Sequence, residues 1–263
     1  MQTRYTQAAP AEPLEFIGGG GRIGVVALAT DLNIEADLRR MAPDGVEILT
    51  NRVLNRNPLT ADNLRAMAAD ISRAAAGILP GARIDALIYA CTSGAAVIGE
   101  AEVMRLLRAG RAGGDGGDGH DGGADLPCTT PVTAALAAFG CFSARRISIL
   151  TPYPEAINRE LAAFFSQRGI AVINMHGLGI ENDTDMTGVT VDSITQAAAD
   201  ACHPDADLLF ISCTALRAAQ VIHRLETRLD KPVVSSNQAL LWHALKLMKT
   251  PSKIPGFGRL FRH

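Results

Sequence analysis

The sequence lacks the features that mark membrane, nucleic-acid-binding and disulfide-stapled proteins. No apolar run approaches the roughly 18 to 20 residues that a membrane helix needs, and the first residues lack the apolar core of a signal peptide. Lys and Arg number 25 against 27 Asp and Glu, so no net positive field attracts nucleic acid. The five cysteines include no C-x-x-C pair, and their odd number suits a reducing compartment. We therefore expect a cytoplasmic protein that binds neither membranes nor nucleic acid.

Two catalytic signatures are absent as well. The six histidines are never paired at i, i+3 or i+4 with one another or set beside a C-x-x-C pair, which predicts no metal site. The G-x-S-x-G pattern of serine hydrolases is also missing. A Cys–His hydrolytic pair stays open as an alternative, with His176 near the end of a predicted strand as its histidine.

The sequence does contain an alternation of short apolar runs and longer amphipathic stretches. With 48% hydrophobic and 20% charged residues among 263, the chain can bury a large core. The runs predict strands at 22–29, 46–51, 85–90, 146–151, 170–175, 207–212 and 232–236. The stretches predict helices at 60–78, 94–108, 131–139, 154–167, 187–201, 214–229 and 238–248. This alternation favours an α/β fold in which helices flank both faces of parallel sheets.

Two segments carry little predicted structure. Residues 1–21 are rich in Ala, Pro and Gly and predict a flexible N-terminal segment. The glycines at its end do not form a phosphate loop, because they precede a predicted strand and the glycines of a phosphate loop follow one. Residues 110–124 form a glycine-rich insert with acids at Asp115, Asp118 and Asp121, three apart rather than at the two-residue spacing of calcium loops. We therefore interpret the insert as a surface loop and not as a calcium site.

A short internal sequence repeat predicts two similar lobes and indicates two of the cysteines as candidates for function. Cys91-Thr92 and Cys213-Thr214 each follow an Asp-led buried strand and each open a predicted helix. In open parallel sheets, ligands bind at the carboxyl ends of strands, where a helix N-terminus stabilises a thiolate or a substrate carboxylate. The hydroxyls of Thr92, Ser93 and Thr214 would add donors for that carboxylate.

One cysteine in this position could be a small hydrophobe that ends a strand by chance, but two in matching contexts favour function. The remaining cysteines lack that context and are interpreted as structural: Cys128, Cys141 and Cys202.

These residues resemble a known superfamily. ACTSGAA around Cys91 and SCTALRA around Cys213 are similar to the two cysteine motifs of the aspartate/glutamate racemase superfamily. RIGVVALATDLNIEADL, from Arg22, resembles the opening of its maleate cis-trans isomerase branch, to which arylmalonate decarboxylases also belong. TTPVTAALAAFG, RRISILTPYPEAIN and PVVSSNQALLWHAL extend the match over 22–247, except for the insert. YACTSGAAVIGE together with SCTALRAAQVI is most similar to the ectoine-utilisation subgroup, the EutA-like proteins.

The resemblance implies two flavodoxin-like lobes related by a pseudo-two-fold axis, with the active site between them. The first lobe would comprise 22–128 and 233–263, and the second 129–232. One cysteine from each lobe would face the substrate, and no cofactor is implied. In racemases of this superfamily one thiolate removes a proton alpha to a carboxylate while the opposite thiol delivers one to the other face; in the isomerases one cysteine adds to the double bond. Tyr153 matches a substrate-contacting tyrosine of the isomerases.

Two positions depart from the isomerase pattern. Asp31 stands where those enzymes carry an asparagine, and near their second asparagine this chain has Asn182 and Asp183, of which Asp183 is the better match. An added carboxylate repels a second substrate carboxylate and attracts an ammonium group. Asp31 also resembles the aspartate that supports the first cysteine of glutamate racemases; alternatively, it only caps the helix that follows.

Together these observations predict a cofactor-independent, two-cysteine isomerase or racemase of a small, amine-bearing carboxylate in ectoine or hydroxyectoine breakdown. Cys91 would be the thiolate base or nucleophile, Cys213 the opposing acid and Asp31 a supporting catalytic residue. The predicted substrate-binding residues are Thr92, Ser93, Tyr153, Asn182, Asp183 and Thr214. The alternatives are a maleate cis-trans isomerase, an arylmalonate-type decarboxylase and a non-catalytic ligand-binding protein. We also expect a homodimer or higher homo-oligomer, because apolar helices such as 131–139 leave room for an interface.

Overall fold

The computed structural model describes residues 3–12, 17–112, 123, 125–251 and 253–263. The three aspartates of the predicted insert, and with them the rejected calcium site, lie outside these residues. In the predicted N-terminal segment, the described residues 3–12 and 17–20 form neither helix nor strand.

Within the described residues, eight strands form two sheets. The first sheet contains β1 (Gly21–Leu28), β2 (Val46–Val53), β3 (Ala86–Ala90) and β4 (Cys128–Thr129). The second contains β5 (Arg146–Thr151), β6 (Ala171–Gly177), β7 (Leu208–Ile211) and β8 (Val233–Ser235). Each of the seven predicted strands is present, and the two-residue β4 is the addition.

Both sheets are parallel and share one strand order, β2-β1-β3-β4 in the first and β6-β5-β7-β8 in the second. In each sheet the direction of the strand order reverses at one switch point, which lies between β1 and β3 in the first sheet and between β5 and β7 in the second. Ligands of open parallel sheets bind beside that point, at the carboxyl ends of the strands. The repeated order confirms the predicted fold of two α/β lobes.

The helices of the described residues alternate with these strands. They are α1 (Ile34–Met41), α2 (Ala61–Ala66), α3 (Ala68–Ala76), α4 (Thr92–Ile98), α5 (Glu100–Arg111), α6 (Pro131–Cys141), α7 (Glu155–Ser166), α8 (Asp183–Met186), α9 (Val191–Ala201), α10 (Ile222–Leu229) and α11 (Ser236–Leu247). Hydroxyl caps at Thr60, Thr130, Thr190 and Ser235 begin four of them. No helix among the described residues is long and apolar enough to cross a membrane.

The helices cover the sheets in pairs. In the first lobe, α3 packs with α5 against the sheet, and α1 packs with α11. In the second lobe, α9 lies on β5, β6 and β7, while α7 packs on β6. Every residue of β3 and β7 is buried, as expected for parallel strands that are covered on both faces. Helix α4 joins the lobes, because it contacts both α6 and α7.

The predicted boundaries between the lobes need correction at both crossings. Residue 129 was assigned to the second lobe, but Thr129 pairs with Ile88 in the first sheet. Residues from 233 onward were assigned to the first lobe, but Val233 and Val234 pair with β7. Because these two valines extend the buried second sheet, the chain returns to the first lobe only with α11.

Three predicted helices are interrupted or shortened. Residues 94–108 contain a break at Gly99, whose φ of +96° suits glycine, and the second half continues as α5 into the predicted insert. Residues 60–78 likewise form α2 and α3 rather than one helix. The predicted helix at 214–229 begins only at Ile222 as an α-helix, because the carbonyls of Thr214 and Leu216 accept hydrogen bonds from the Asn33 side chain instead.

Candidate active site

Cys91 lies at the carboxyl end of β3 and caps α4. Its Sγ accepts a hydrogen bond from the N–H of Gly94 at 3.2 Å, and the Oγ of Ser93 lies 3.7 Å from the same sulfur. The side chain is only 3% exposed. The first turn of a helix favours negative charge, so this turn can stabilise a Cys91 thiolate once one forms.

Cys213 occupies the equivalent position in the second lobe, just beyond β7. Its φ of +103° lies in a region that residues other than glycine rarely adopt, so the backbone there is strained. Its N–H donates to the Oγ of Ser236 at 3.1 Å. Burial raises the pKa of this thiol, whereas the N–H of Ala215 and the hydroxyl of Tyr153 act in the opposite direction.

Two carboxylates act on both thiols. Burial raises the pKa of Cys91 to about 12, and the charges of Asp183 and Asp31 add to the increase. The same two charges add to the effect of burial on the pKa of Cys213. These four groups therefore form one electrostatically coupled cluster between the lobes, in which both cysteines are thiols at neutral pH.

Asp31 follows β1, beside the switch point of the first sheet. Its Oδ1 accepts hydrogen bonds from the N–H groups of Asn33 at 2.8 Å and Ile34 at 2.9 Å, which caps the start of α1. Its Oδ2 is buried and has no hydrogen-bond partner among the described residues. Burial raises the pKa of this carboxyl, and the N–H of Ile34 opposes the increase. One oxygen of Asp31 thus holds the start of α1, while the other is buried, and the hydroxyl of Thr214 also opposes the increase in the pKa of this carboxyl.

The structure brings Asp183, and not Asn182, to this cluster. Asp183 is buried, accepts a short hydrogen bond from the hydroxyl of Thr30, and donates its N–H to Asn57 Oδ1 at 2.9 Å. Burial raises the pKa of its carboxyl. Asn182 is exposed, and its Oδ1 accepts from Asn57 and from the N–H of Thr184, so it caps α8. The Asn182 side chain is thus turned toward the first lobe's surface loop, and its predicted substrate contact stays a prediction.

Tyr153 follows β5 and is held by a buried polar clamp. Its N–H donates to the Oγ1 of Thr151 at 3.1 Å, and its carbonyl accepts from the Nδ2 of Asn158 at 3.1 Å. The Thr151 hydroxyl in turn donates to Asn158 Oδ1 at 2.6 Å. Gly177 leaves room for this clamp, since a Cβ there would lie 2.2 Å from Asn158 Nδ2. The clamp fixes the tyrosine whose hydroxyl faces the Cys213 sulfur.

The comparison with protein families places this cluster in a known context. The family model described as arylmalonate decarboxylase matches residues 120–261, which is more than half of the chain. The chain belongs to the arylmalonate decarboxylase family. One relative, the arylmalonate decarboxylase of Bordetella bronchiseptica, is 35% identical over 139 residues, which cover 52% of this chain and 58% of that protein. The maleate isomerase of Nocardia farcinica is 22% identical over 245 residues, covering 92% of this chain and 95% of that one.

Solved structures of the family superimpose on nearly the whole chain. The maleate isomerase of Pseudomonas putida S16 with maleate has a TM-score of 0.80 at 21% identity, over 92% of this chain and 97% of that one. A double variant of arylmalonate decarboxylase in a liganded form has a TM-score of 0.79 at 28% identity, over 92% and 98%. A maleate cis-trans isomerase variant from Nocardia farcinica was solved with a covalently bound succinylcysteine intermediate. The prediction of a cysteine-based isomerase in this branch agrees with these relatives, whereas none of them addresses the ectoine subgroup.

Within this arylmalonate decarboxylase family member, the predicted hydroxyl donors are mostly engaged by the protein. The Oγ1 of Thr92 lies 2.9 Å from Ser236 Oγ, and the Thr214 hydroxyl donates to the carbonyl of Ala90 at 3.2 Å. Of the three, Ser93 has its hydroxyl beside the sulfur of Cys91. Thr214 therefore bonds across to the first lobe, and Thr92 contacts the start of α11.

Sequence reasoning missed the buried polar residues that surround the cysteine turns: Asn33, Asp37, Ser236 and Asn237. The signal for two of them was present, because PVVSSNQ places polar residues directly after a buried strand, where a switch-point site would use them. The other two lie within the first turns of a helix, a position that solvated polar residues also occupy.

The hydrolytic alternative finds no geometric support. His176 lies in the edge strand β6 and is exposed, and the contacts described for the two sulfurs do not include it. Over the residues that the structure describes, no group of three or more His, Cys, Asp or Glu side chains could hold a metal ion.

Proposed function

We propose that this family member is a cofactor-independent isomerase or racemase that acts on a small carboxylate through Cys91 and Cys213. The observation that carries the proposal is the matched placement of two buried thiols at the switch points of two similar sheets. A substrate between them would meet one sulfur on each face. That arrangement suits a reaction in which a proton leaves one face and another arrives at the opposite face.

The two carboxylates favour a substrate that carries an amino group. Asp31 offers an unpartnered buried oxygen, and Asp183 lies in the same cluster. At 4 Å and an effective dielectric constant of 20, a unit charge interacts with another by about 4 kcal/mol. A substrate ammonium would gain an attraction of this order, whereas a second substrate carboxylate would meet a comparable repulsion. The proposed substrate is therefore an amino carboxylate.

The proposed reaction has two proton transfers at the substrate carbon, preceded and followed by one between a thiol and a carboxylate. The Cys91 thiol first gives its proton to one of the two carboxylates of the cluster, Asp31 or Asp183, and the other stays ionised toward the substrate ammonium. The resulting thiolate removes the proton alpha to the substrate carboxylate, and the electron pair of the C–H bond moves into an enediolate. The Cys213 thiol then donates its proton to the other face of that carbon, which restores the carboxylate and leaves a Cys213 thiolate. The carboxyl that took the Cys91 proton then passes it to Cys213, and Cys91 keeps the proton taken from the substrate, which resets both thiols.

The remaining predicted residues would hold the substrate. Ser93 and the first turn of α4 face the substrate carboxylate, together with Thr92 and Thr214. Tyr153, fixed by its clamp, orients the substrate beside Cys213. Assignment to ectoine or hydroxyectoine breakdown and to the EutA-like subgroup rests on the motif resemblance and stays a prediction.

The proposal can be tested by proton NMR in D₂O with ectoine-derived amino acids, aspartate, glutamate, maleate and an arylmalonate. The wild type and the Cys91→Ala and Cys213→Ala variants are compared. We expect an amino acid to exchange its alpha proton with the wild type and with neither variant. Full turnover by Cys213→Ala would disprove the two-thiol mechanism.

Maleate isomerisation is the second candidate, because the maleate isomerases match this chain nearly end to end. In that reaction a thiolate adds to one carbon of the double bond, the new single bond rotates, and elimination of the thiolate gives fumarate. Appearance of fumarate from maleate in the same NMR panel would replace the amino carboxylate proposal. Decarboxylation, which the family name suggests, would instead release carbon dioxide from the arylmalonate and require one thiol as proton donor. Ligand-induced thermal shifts without any turnover would indicate a binding protein.

A further inference from the structure

The start of α11 buries an unusual run of polar side chains. Ser235, Ser236, Asn237 and Gln238 are each at most 1% exposed. Ser235 and Gln238 form a capping box, which explains their burial through the helix itself. Ser236 and Asn237 have no part in that box, so their polar atoms serve other contacts.

Ser236 connects the two cysteine turns. Its Oγ accepts the N–H of Cys213 at 3.1 Å and lies 2.9 Å from the hydroxyl of Thr92, the residue after Cys91. A hydroxyl has one donor and two acceptor positions, so a single Ser236 oxygen can serve both neighbours. The catalytic turns of the two lobes are thus joined through one atom.

Asn237 fixes the next peptide of the second turn. Its Nδ2 donates to the carbonyl of Thr214 at 2.9 Å and to Asp37 Oδ2 at 2.9 Å. Asn33 repeats this pattern, with Nδ2 at 3.1 Å from the same carbonyl and 3.0 Å from the same carboxylate. The carbonyl that follows the strained Cys213 is therefore held by amides from α11 and from the loop before α1.

We propose that Ser236, assisted by Asn237, is a positioning residue that sets the separation and orientation of the two thiols. The inference rests on the two-thiol function proposed above. Opposed proton transfer requires both sulfurs to be placed within about 0.5 Å of their working positions. The turn at Cys213 would relax from its left-handed backbone without external bonds, and Ser236 supplies one of these bonds while tying the turn to Thr92.

The first test measures the alkylation of each cysteine by iodoacetamide at pH 9, with mass spectrometry of the peptides. Ser236→Ala removes the bond to the Cys213 N–H, so we expect Cys213 to react at least fivefold faster relative to Cys128, a buried thiol that Ser236 does not touch. Normalisation to Cys128 removes the effect of global unfolding, which would expose all thiols together. An unchanged ratio would overturn the proposal.

Ser235→Ala is the matched control, because it removes a hydroxyl from the adjacent helix cap. We expect it to lower the melting temperature while leaving the ratio of Cys213 to Cys128 alkylation within twofold of the wild type. An equal change in both serine variants would show that only helix stability matters and would contradict positioning.

Thr92→Val approaches the same contact from the first lobe and serves if Ser236→Ala does not fold. On an amino acid that exchanges in the NMR panel, Ser236→Ala should lower kcat about tenfold and leave KM within twofold, and Thr92→Val should lower kcat by a similar factor. The double variant should lose little more than Ser236→Ala, since both substitutions break the same hydrogen bond between Thr92 and Ser236. Additive losses would contradict the inference. If no compound exchanges with the wild type, the proposed function fails, and the alkylation ratio still decides the positioning role.

Discussion

Burial is the largest cause of the raised pKa of Cys91 and Cys213, and the negative charge of Asp183 is the second largest. Replacing Asp183 by asparagine removes that charge, so the pKa of both cysteines should fall and the thiolate fraction at a given pH should rise. Because a lower pKa leaves more thiolate at a given pH, we expect Asp183→Asn to speed iodoacetamide alkylation of Cys91 and Cys213 by about threefold or more at pH 9.

Asp185→Asn is the control for this prediction, since Asp185 is an exposed acid of the same short helix. It should leave both alkylation rates within twofold of the wild type. Equal acceleration in the two variants would show that loosening of α8, and not charge, governs the thiols.

At the residue scale, the sequence predicted side-chain identity better than side-chain direction. Cys91, Cys213, Asp31 and Asp183 converge as expected, because strand ends at a switch point must lie together. Asn182 and Asp183 are adjacent at the start of α8 and point in different directions, because Asn182 caps the helix. Pattern alone does not distinguish which neighbour is the cap.

At the element scale, α4 depends on a glycine that is not in a turn. A Cβ on Gly94 would lie 2.7 Å from Tyr89 Oη and 2.9 Å from Cys91 Sγ. We expect Gly94→Ala to lower the free energy of unfolding by about 1–3 kcal/mol through overpacking, despite the better helix propensity of alanine. Urea denaturation measures the change, and alkylation of Cys91 should change with it.

Gly140→Ala in α6 provides the matched comparison, because a Cβ there would meet nothing within 4 Å. This substitution should raise the free energy of unfolding by about 0.5–1 kcal/mol. A stabilised Gly94→Ala variant would mean that the Cys91 turn has more space than the structure shows.

Periodicity located strands reliably but overextended helices. Buried runs such as Leu208–Ile211 are unambiguous, because both faces of each strand are covered. Residues 214–221, which the periodicity predicts as helix, do not form an α-helix, because the distant Asn33 side chain donates hydrogen bonds to two of their carbonyls. Such competition depends on Asn33, almost two hundred residues away, and no local window contains it.

At the scale of the whole molecule, the buried thiols make stability depend on pH in the alkaline range. Burial raises the pKa of Cys91 to about 12 and that of Cys128 to about 11, and it also raises that of Cys213. In the unfolded chain these thiols ionise near pH 8.5. The folded state then holds more protons than the unfolded state, so stability is retained below pH 8.5 and lost as the pH rises toward the folded values.

Each such thiol should cost about 1.4 kcal/mol of unfolding free energy per pH unit above its unfolded pKa. We therefore expect urea denaturation under reducing conditions to show a falling free energy of unfolding between pH 9 and 10, to which Cys202, whose pKa burial also raises, contributes. Cys128→Ala should reduce this slope by about 1.4 kcal/mol per pH unit. A slope that Cys128→Ala leaves unchanged would place the lost protons on other groups.

The two-lobe organisation was predictable from the repeated strand-Cys-Thr motif, since similar sequence implies similar placement. The exact crossings between lobes were not, because Val233 and Val234 are compatible with either sheet. Register decides between them: both valines pair with Leu209 and Phe210 of β7.

Helix α11 packs on α1 and β3 of the first lobe, although the entire second lobe precedes it in the chain. The strands of the first sheet therefore leave the ribosome long before the helix that covers them exists. Domains usually fold in order of synthesis, and here that order is interrupted. Contacts of such large sequence separation also slow folding. An apolar face of the nascent first lobe therefore stays exposed until α11 has been synthesised. The two cysteine turns likewise become joined only after Ser236 has been added to the chain.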